Sequence, residues 1–498
     1  MKLYLAFDVG TTAMKCILFD RNFNEVAYAS EEYDLIMDHD GRAEFDAEKY
    51  YIAFCECTGK IINAGFRAED IKAVTITTQG ETLICVDKSG KALSNAIVWL
   101  DTRAQREADG ILNEIGDQEF YSKTGLWQPD GALPLAKLLY IRRNEPDLFK
   151  KTHKFLLLED YLIYRLTGKF ATEKSLVSST GWYDIVGDNY YDAALDFCEI
   201  PSDKLPEVFP CGTVIGNIKS RECKLAEETV VVCGAMDQIC SAIGAGNINE
   251  GILTETTGTA LVLGATVEKP VFDSKNPITI YRHFDNKYIY MPYCSTAGIV
   301  LKWFKDTVAA EICDKANLAG ISAYQMIDKY VEASECGSNG VILLPHFSGR
   351  AIPEIMPNAS GAFLGITLKT TIADLTRSVL EGIACMLYEM VELLEKRGVF
   401  SDKILSMGGG ANSRIWGEIK AAVTQKAIEV NQYSETTSLG AAILGAVACG
   451  EYCSVQEAVL KVRPNQEIIF PDNSWIEKYK PYYEKYKEVY KLLKPIFE

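Results

Sequence analysis

Two segments half a chain apart share one pattern: Tyr4 to Asn22, YLAFDVGTTAMKCILFDRN, and Gly251 to Lys269, GILTETTGTALVLGATVEK. In each, an apolar and β-branched run stops at a turn of glycine and threonine, then resumes with β-forming residues, which is the signature of a hairpin. A chain carrying the same hairpin twice is expected to have used one α/β domain twice.

The turns themselves are chemically pointed. Gly10, Thr11 and Thr12 in the first, and Thr257, Gly258 and Thr259 in the second, have small side chains, so backbone N–H groups and hydroxyls there can close on phosphate oxygens. Asp8 precedes the first turn and Lys15 follows it, a pairing suited to a divalent cation beside a polyphosphate. A single hairpin of this kind is common; its duplication suggests a nucleotide held between two lobes.

A chain of 498 residues exceeds one ordinary domain. Its 48% hydrophobic and 24% charged residues, without a low-complexity tract, fit a globular protein. No run approaches 18 apolar residues, and the first residues lead straight into a strand, so no membrane partner and a soluble, cytoplasmic protein are expected. A net charge of −17 repels polyanions, which excludes nucleic acid as the expected partner. The fifteen cysteines are scattered through apolar runs and lack metal-ligand spacing, so they read as reduced core residues.

Strands such as IKAVTITTQ and ETLICVDKSGKAL alternate with amphipathic helices such as AEKYYIAFCECTGKIINAG. LPLAKLLYIRRNEPDLFKK reads as a helix stopped near Pro146, and KFLLLEDYLIYRLTGK as a second, ended at Gly168. ETVVVCG then runs as a strand into the helix AMDQICSAIGAG, placing Asp237 at a strand-to-helix junction. Ligands of open α/β sheets gather at strand carboxyl ends, so Asp237 fits either a catalytic carboxylate or a helix N-cap. Gly408, Gly409 and Gly410 follow a strand and open a helix; with Asn412 they suit an adenosine pocket, or simply a tight turn. The helix SLGAAILGAVAC presents small residues for packing, and the final segment reads as an amphipathic surface helix.

At this point the chain resembles, over nearly its whole length, the FGGY carbohydrate kinases of the sugar kinase, Hsp70 and actin superfamily. GAFLGITLKTTIADLTRSVLE, Gly361 to Glu381, fits the family's C-terminal signature at every position. LLPHFSGRAIPEIMPNASG is similar to the family, with Arg350 and Ala351 replacing an acidic and basic pair. ALPLAKLLYIRRN keeps Pro134, Lys137, Leu138, Ile141, Arg143 and Asn144 of the N-terminal signature and departs at Ala132 and Tyr140.

The resemblance implies two ribonuclease H-like (actin-like ATPase) lobes with a catalytic cleft between them: residues 1–247 binding sugar and residues 248–498 binding nucleotide. It implies ATP and Mg²⁺ as cofactors and a small sugar as acceptor, and it allows a homodimer. Asp237 is then the general base, and Gln238 contacts substrate. Asp8 and Asp237 serve the metal. Gly10, Thr11, Thr12 and Lys15 face the phosphates from one lobe. Gly258, Thr259, Gly298, Gly409, Gly410 and Asn412 hold the nucleotide from the other.

By the same resemblance the segment after the third strand faces the sugar, making Gln79, Glu81, Trp99 and Asp101 candidates. Trp99 also fits a core position, and Glu81 a salt bridge with Arg103 or another base. Gly80 stands where glycerol kinases carry arginine, which disfavours glycerol. DKSGKALSNAIVWLDTRA, LPHFSG and LGAAIL are closer in style to xylulose kinases, although a Met-His pair usual there is absent. The expectation is an ATP-dependent kinase of a ketopentose such as xylulose. A polyol or sugar-acid (gluconate-type) kinase of the same family is the alternative, and a non-catalytic sugar-binding or actin-like protein is the reading from another class.

Overall fold

The computed structural model describes every residue except Met1, His39, Gln128, Gln432, Ser434 and 463–466. The chain packs as two compact units. The first joins Met1–Ile248, Glu268–Ile289 and Glu435–Pro464; the second joins Asn249–Val267, Tyr290–Ser434 and Asn465–Glu498.

In the first unit the leading hairpin pairs Leu3–Val9 with Ala13–Asp20 in antiparallel register from Leu3 opposite Asp20 to Val9 opposite Met14. Leu3–Val9 is buried almost throughout and also pairs in parallel with Ile71–Thr78, as a nearly continuous apolar run requires. The sheet order is Val214–Asn217, Val230–Met236, Ile71–Thr78, Leu3–Val9, Ala13–Asp20 and Glu25–Glu32. Helix Ala47–Asn63 starts where the Asp46 carboxylate accepts the Glu48 N–H. It buries Tyr50, Phe54, Cys57 and Ile61, with Phe54 stacked on Phe7 at 4.1 Å.

Helix Thr436–Ala448 packs on this sheet and on helix Asp237–Ala245 through its small residues. A Cβ at Gly440 would lie 1.9 Å from the Cys240 carbonyl oxygen, so the small-residue face is a packing device. Lys154–Leu157, expected as the start of a helix, is instead a strand paired antiparallel with Leu83–Val86. A short apolar run has no decisive period of its own, and here the pairing decides. Helix Leu158–Thr167 follows and ends with Gly168 in the left-handed region.

The second unit repeats the arrangement. Leu253–Thr257 pairs antiparallel with Leu261–Val267 and in parallel with Lys403–Met407, which is followed in the sheet by Ala427–Val430 and Glu467–Ile469. Helix Ile372–Glu395 is opened by a capping box between Thr371 and Asp374. The final helix, Asn473–Phe497, is anchored by buried tyrosines: Tyr479 bonds both Arg377 and Glu381, themselves a buried ion pair at 2.8 Å. All fifteen cysteines are free. No helix among the described residues is long and apolar enough to cross a membrane.

Candidate active site

The first turn is tied at both ends. Gly10 N–H donates to the Ala13 carbonyl and Tyr33 N–H to that of Thr12, while the Tyr33 hydroxyl reaches the Gly10 carbonyl. Thr12 is exposed and Thr11 half-buried. The Thr11 hydroxyl accepts a hydrogen bond from Trp99 Nε1 at 2.9 Å, so Trp99, 38% exposed rather than core, joins this turn to the segment expected to face the sugar. Lys15 pairs with Glu435 at 2.8 Å. Asp8, opposite Lys15 in the hairpin register, has its carboxyl pushed up to about 6 by burial and by Glu435, against the pull of Lys15.

Asp237 is the first residue of its helix, and Met236 occupies the cap position. Its carboxylate accepts the adjacent Gln238 N–H at 2.6 Å, which is not the contact of an N-cap to the second or third N–H. Burial, then the Asp8 charge, raises it to about 7. Gln238 is exposed.

Glu81 sits at φ 68°, a left-handed conformation that costs a non-glycine residue about 1 kcal/mol or more. Its carboxyl is raised above the usual range by burial and by Asp130 and Asp237, while Lys137 pulls the other way. Arg103, the expected partner, is engaged elsewhere: it pairs with Asp101 and Glu44, each at 2.6 Å. Asp101 is fully buried and also accepts the Ala43 N–H at 2.7 Å, so its carboxylate braces the loop. Gln79 is buried, with its Nε2 on Tyr50 and its Oε1 without a hydrogen-bond partner among the described residues.

Lys137 was visible in the sequence only as part of a motif. It is completely buried, and its ammonium donates to the carbonyls of Glu81 at 3.1 Å and Val98 at 2.9 Å. One cation thereby ties the loop carrying Gln79 and Glu81 to that carrying Trp99 and Asp101.

The second unit contains a cavity of about 740 Å³ lined by Gly258, Thr259, Gly298, Gly409, Gly410 and Asn412. The six candidates read from three separate stretches of sequence thus share one pocket. Gly298 opens a helix against the second turn; its N–H donates to the Gly258 carbonyl, and a Cβ there would lie 2.4 Å from that oxygen. Other walls were not anticipated: Ser322, Tyr324 and Asp328 on one helix, and Trp416. Beneath the turn a buried network joins Lys420 to Glu255 at 2.8 Å and to Thr257 at 3.0 Å, with Ser406 donating to Glu255.

Among the described residues no group of three or more His, Cys, Asp or Glu is placed to hold a metal ion. Two neighbouring carboxylates, Asp8 and Asp237, both raised by burial, suit Mg²⁺, which keeps several waters and takes one or two carboxylates.

Models of the FGGY family of carbohydrate kinases match residues 3–244 as the N-terminal domain and residues 253–449 as the C-terminal domain. A xylulose kinase of Bacillus subtilis (strain 168) is 27% identical, spanning 97% of this chain and 95% of the relative. A gluconokinase of the same organism is 27% identical over 90% of this chain and 88% of its own. The crystal structure of a ligand-bound xylulose kinase from Lactobacillus acidophilus superposes with a TM-score of 0.90 at 26% identity, covering 99% of this chain and 98% of that one. The fold is the two-lobed, actin-like ATPase architecture of these enzymes. The chain belongs to the FGGY family of carbohydrate kinases, phosphotransferases with an alcohol group as acceptor.

Proposed function

We propose that this chain transfers the γ-phosphate of ATP to a hydroxyl of a neutral ketose, a ketopentose such as xylulose, with Asp237 as general base. The observation that carries the reading is the placement of Asp237 at the carboxyl end of an inner strand, beside the Asp8 charge and near the Glu81 loop. A base with its pKa near the working pH is effective in proton transfer. Asp237 takes the proton of the attacking hydroxyl as its oxygen bonds to the γ-phosphorus and the bond to the leaving ADP oxygen breaks. Phosphoryl transfer otherwise asks mainly for alignment and charge neutralisation. In this reading Thr11, Thr12 and Lys15 hold phosphate oxygens, and the pocket of Gly298, Gly409, Gly410 and Asn412 takes adenosine. Mg²⁺ at Asp8 and Asp237 supplies neutralisation of phosphate charge.

Two xylulose kinases of similar length and fold support the ketopentose. The gluconokinase relative supports a sugar acid instead. Of the acceptor candidates Gln79, Glu81, Trp99, Asp101, Asp237 and Gln238, three are carboxylates, and the two cations beside them are already engaged, Arg103 with Asp101 and Glu44 and Lys137 with the carbonyls of Glu81 and Val98, which leaves neither free to pair with a substrate carboxylate. This favours a neutral sugar, and Gly80 in place of an arginine disfavours glycerol.

A coupled ADP-release assay with MgATP and D-xylulose, L-xylulose, D-ribulose, D-gluconate, glycerol and erythritol tests the reading. Saturable release with a ketopentose is the expected result. Release with gluconate alone replaces the acceptor class, and acceptor-independent release throughout removes the kinase reading.

A further inference from the structure

The strand that delivers Asp237 is irregular in its last residues. Val230–Met236 follows Ile71–Thr78 in steady parallel register as far as Cys233 opposite Ile76, then resumes with Met236 opposite Thr78. Gly234 and Ala235 therefore face a single residue, Thr77, which makes a β-bulge. A bulge releases backbone groups from the ladder, and buried ones need new partners.

Three of these groups meet side chains. Gly234 N–H donates to Glu159 Oε1 at 2.8 Å, the Ala235 carbonyl accepts from Thr77 Oγ1 at 2.6 Å, and Met236 N–H donates to Ser175 Oγ at 3.0 Å. Ser175 is held in turn by Glu173, whose carboxylate accepts its hydroxyl at 2.7 Å and its N–H at 2.6 Å. Glu159, Glu173, Ser175 and Thr77 are all at most 1% exposed. At Gly234 a Cβ would lie 2.1 Å from the Ile76 carbonyl oxygen, so the backbone is pressed tightly against its neighbour.

A regular strand in this interior would need none of these groups. Burying two carboxyls is costly: burial holds both Glu159 and Glu173 above the usual carboxylate range, and the charges of Glu173 and Asp160 raise Glu159 further. Their contacts converge on the three residues immediately before Asp237.

We propose that Glu159, Ser175 and Thr77 are positioning residues for phosphoryl transfer, fixing the bulge at residues 234–236 and with it the direction in which Asp237 presents its carboxylate. The proposal rests on Asp237 being the base. None of the three touches the reacting atoms; they act through the backbone of the bulge. Misplacing a reacting group by about 1 Å can cost about 10²-fold in rate, which sets the expected scale.

The full-length chain carrying Ser175→Ala, Thr77→Val, Glu159→Met or Glu159→Gln is assayed with MgATP and D-xylulose, or D-gluconate if that is the better acceptor, alongside Asp237→Ala. Ser175→Ala and Thr77→Val are expected to lower kcat by about 10²-fold with the KM for ATP and for the acceptor unchanged. Glu159→Gln, whose amide oxygen still accepts the Gly234 N–H, should restore most of the kcat lost in Glu159→Met. Loss in Glu159→Gln equal to that in Glu159→Met, or parallel changes in kcat and both KM values, overturns the proposal in favour of a purely structural role. If Asp237→Ala is inactive while Ser175→Ala and Thr77→Val turn over normally, the positioning proposal fails alone. If Asp237→Ala retains turnover, the base assignment fails first. Crystal structures of the wild type and Ser175→Ala give an answer that needs no acceptor: a displaced Asp237 carboxylate relative to Asp8 is expected, and superposable carboxylates overturn the proposal.

Discussion

In the first unit the strand parallel to the leading hairpin, Ile71–Thr78, runs out into Gln79, Gly80 and Glu81; its counterpart in the second, Lys403–Met407, runs out into Gly408, Gly409 and Gly410. The next strand outward, Val230–Met236, leads into Asp237, and its counterpart Ala427–Val430 into Asn431. One strand order therefore carries two chemistries. In the first unit the strand ends present carboxylates whose pKa values burial has raised, which suits the proposed proton transfer. In the second they present residues without side chains, which suits the proposed approach of a flat ring and phosphates to backbone. The frame is common to both; the strand ends decide what each unit can do.

In the proposed function turnover belongs to the first unit and nucleotide affinity to the second, so mutations should separate along that line. The largest effect is expected at Asp237. Asp237→Ala should lower kcat by about 10² to 10⁴-fold and leave the KM for ATP nearly unchanged; full turnover breaks the assignment. Next comes Gly298→Val, which drives a side chain into the Gly258 carbonyl. Overpacking of this kind costs about 1–3 kcal/mol, equivalent to about 5 to 10²-fold if it falls on affinity. That loss should appear in ATP saturation and not in sugar saturation, and an equal loss in both would erase the distinction between the units.

Much of this frame was legible in the sequence because its signals are local. A Gly/Thr turn between β-branched runs can form little but a hairpin, and Asp237 follows a strand whose apolar run is unmistakable. The triple glycine was likewise readable, whereas Gly298 came only from the family resemblance; their convergence on one cavity was the structure's contribution. What the sequence hid depends on distant partners. Lys137 reads as any motif lysine until its ammonium is seen between the carbonyls of Glu81 and Val98. The strand Lys154–Leu157 could not be told from a helix before its pairing with Leu83–Val86. Ser322 and Asp328 sit on an amphipathic helix that nothing local marks as a pocket wall. The most diagnostic motif, Gly361 to Glu381, is mainly structural: Asp374 accepts Ser334 and Asn339, and Glu381 accepts Gly337, Ser338, Arg377 and Tyr479. A motif can identify the family without marking the chemistry.

A smaller effect sharpens the description of the first unit. Lys137 joins the two loops proposed to face the sugar, while its own charge is disfavoured by burial and supported by the carboxylates of Glu81, Asp101 and Asp130. Lys137→Met keeps the stem and removes the donor. Hydrogen bonds to a charged group are worth about 1.5–3 kcal/mol, so losing even part of one should raise the acceptor KM by about tenfold. ATP saturation should be unaffected. A change in kcat with acceptor KM preserved would show that Lys137 serves the reacting groups and not the loops.

The last effect is one of stability rather than of turnover, and its sign distinguishes a carboxylate held for function from one held for the fold. Asp237 titrates at about 7 in the folded chain against an ordinary 3.8, because burial and the Asp8 charge disfavour its ionised form. Folding therefore favours the protonated acid. The stability associated with that preference is intact below pH 3.8 and is lost as pH rises through about 7. Asp237→Asn removes the titration, so in magnesium-free buffer its Tm should match the wild type near the acid end, exceed it increasingly from pH 3.8 to about 7, and hold that lead at about pH 8. The gain should shrink when Mg²⁺ is added to the wild type, since a cation at Asp8 and Asp237 offsets the same repulsion. A Tm for Asp237→Asn below wild type at pH 8 would mean that the ionised carboxylate stabilises the fold, placing Asp237 with structural acids such as Asp374 rather than with the groups that carry the reaction.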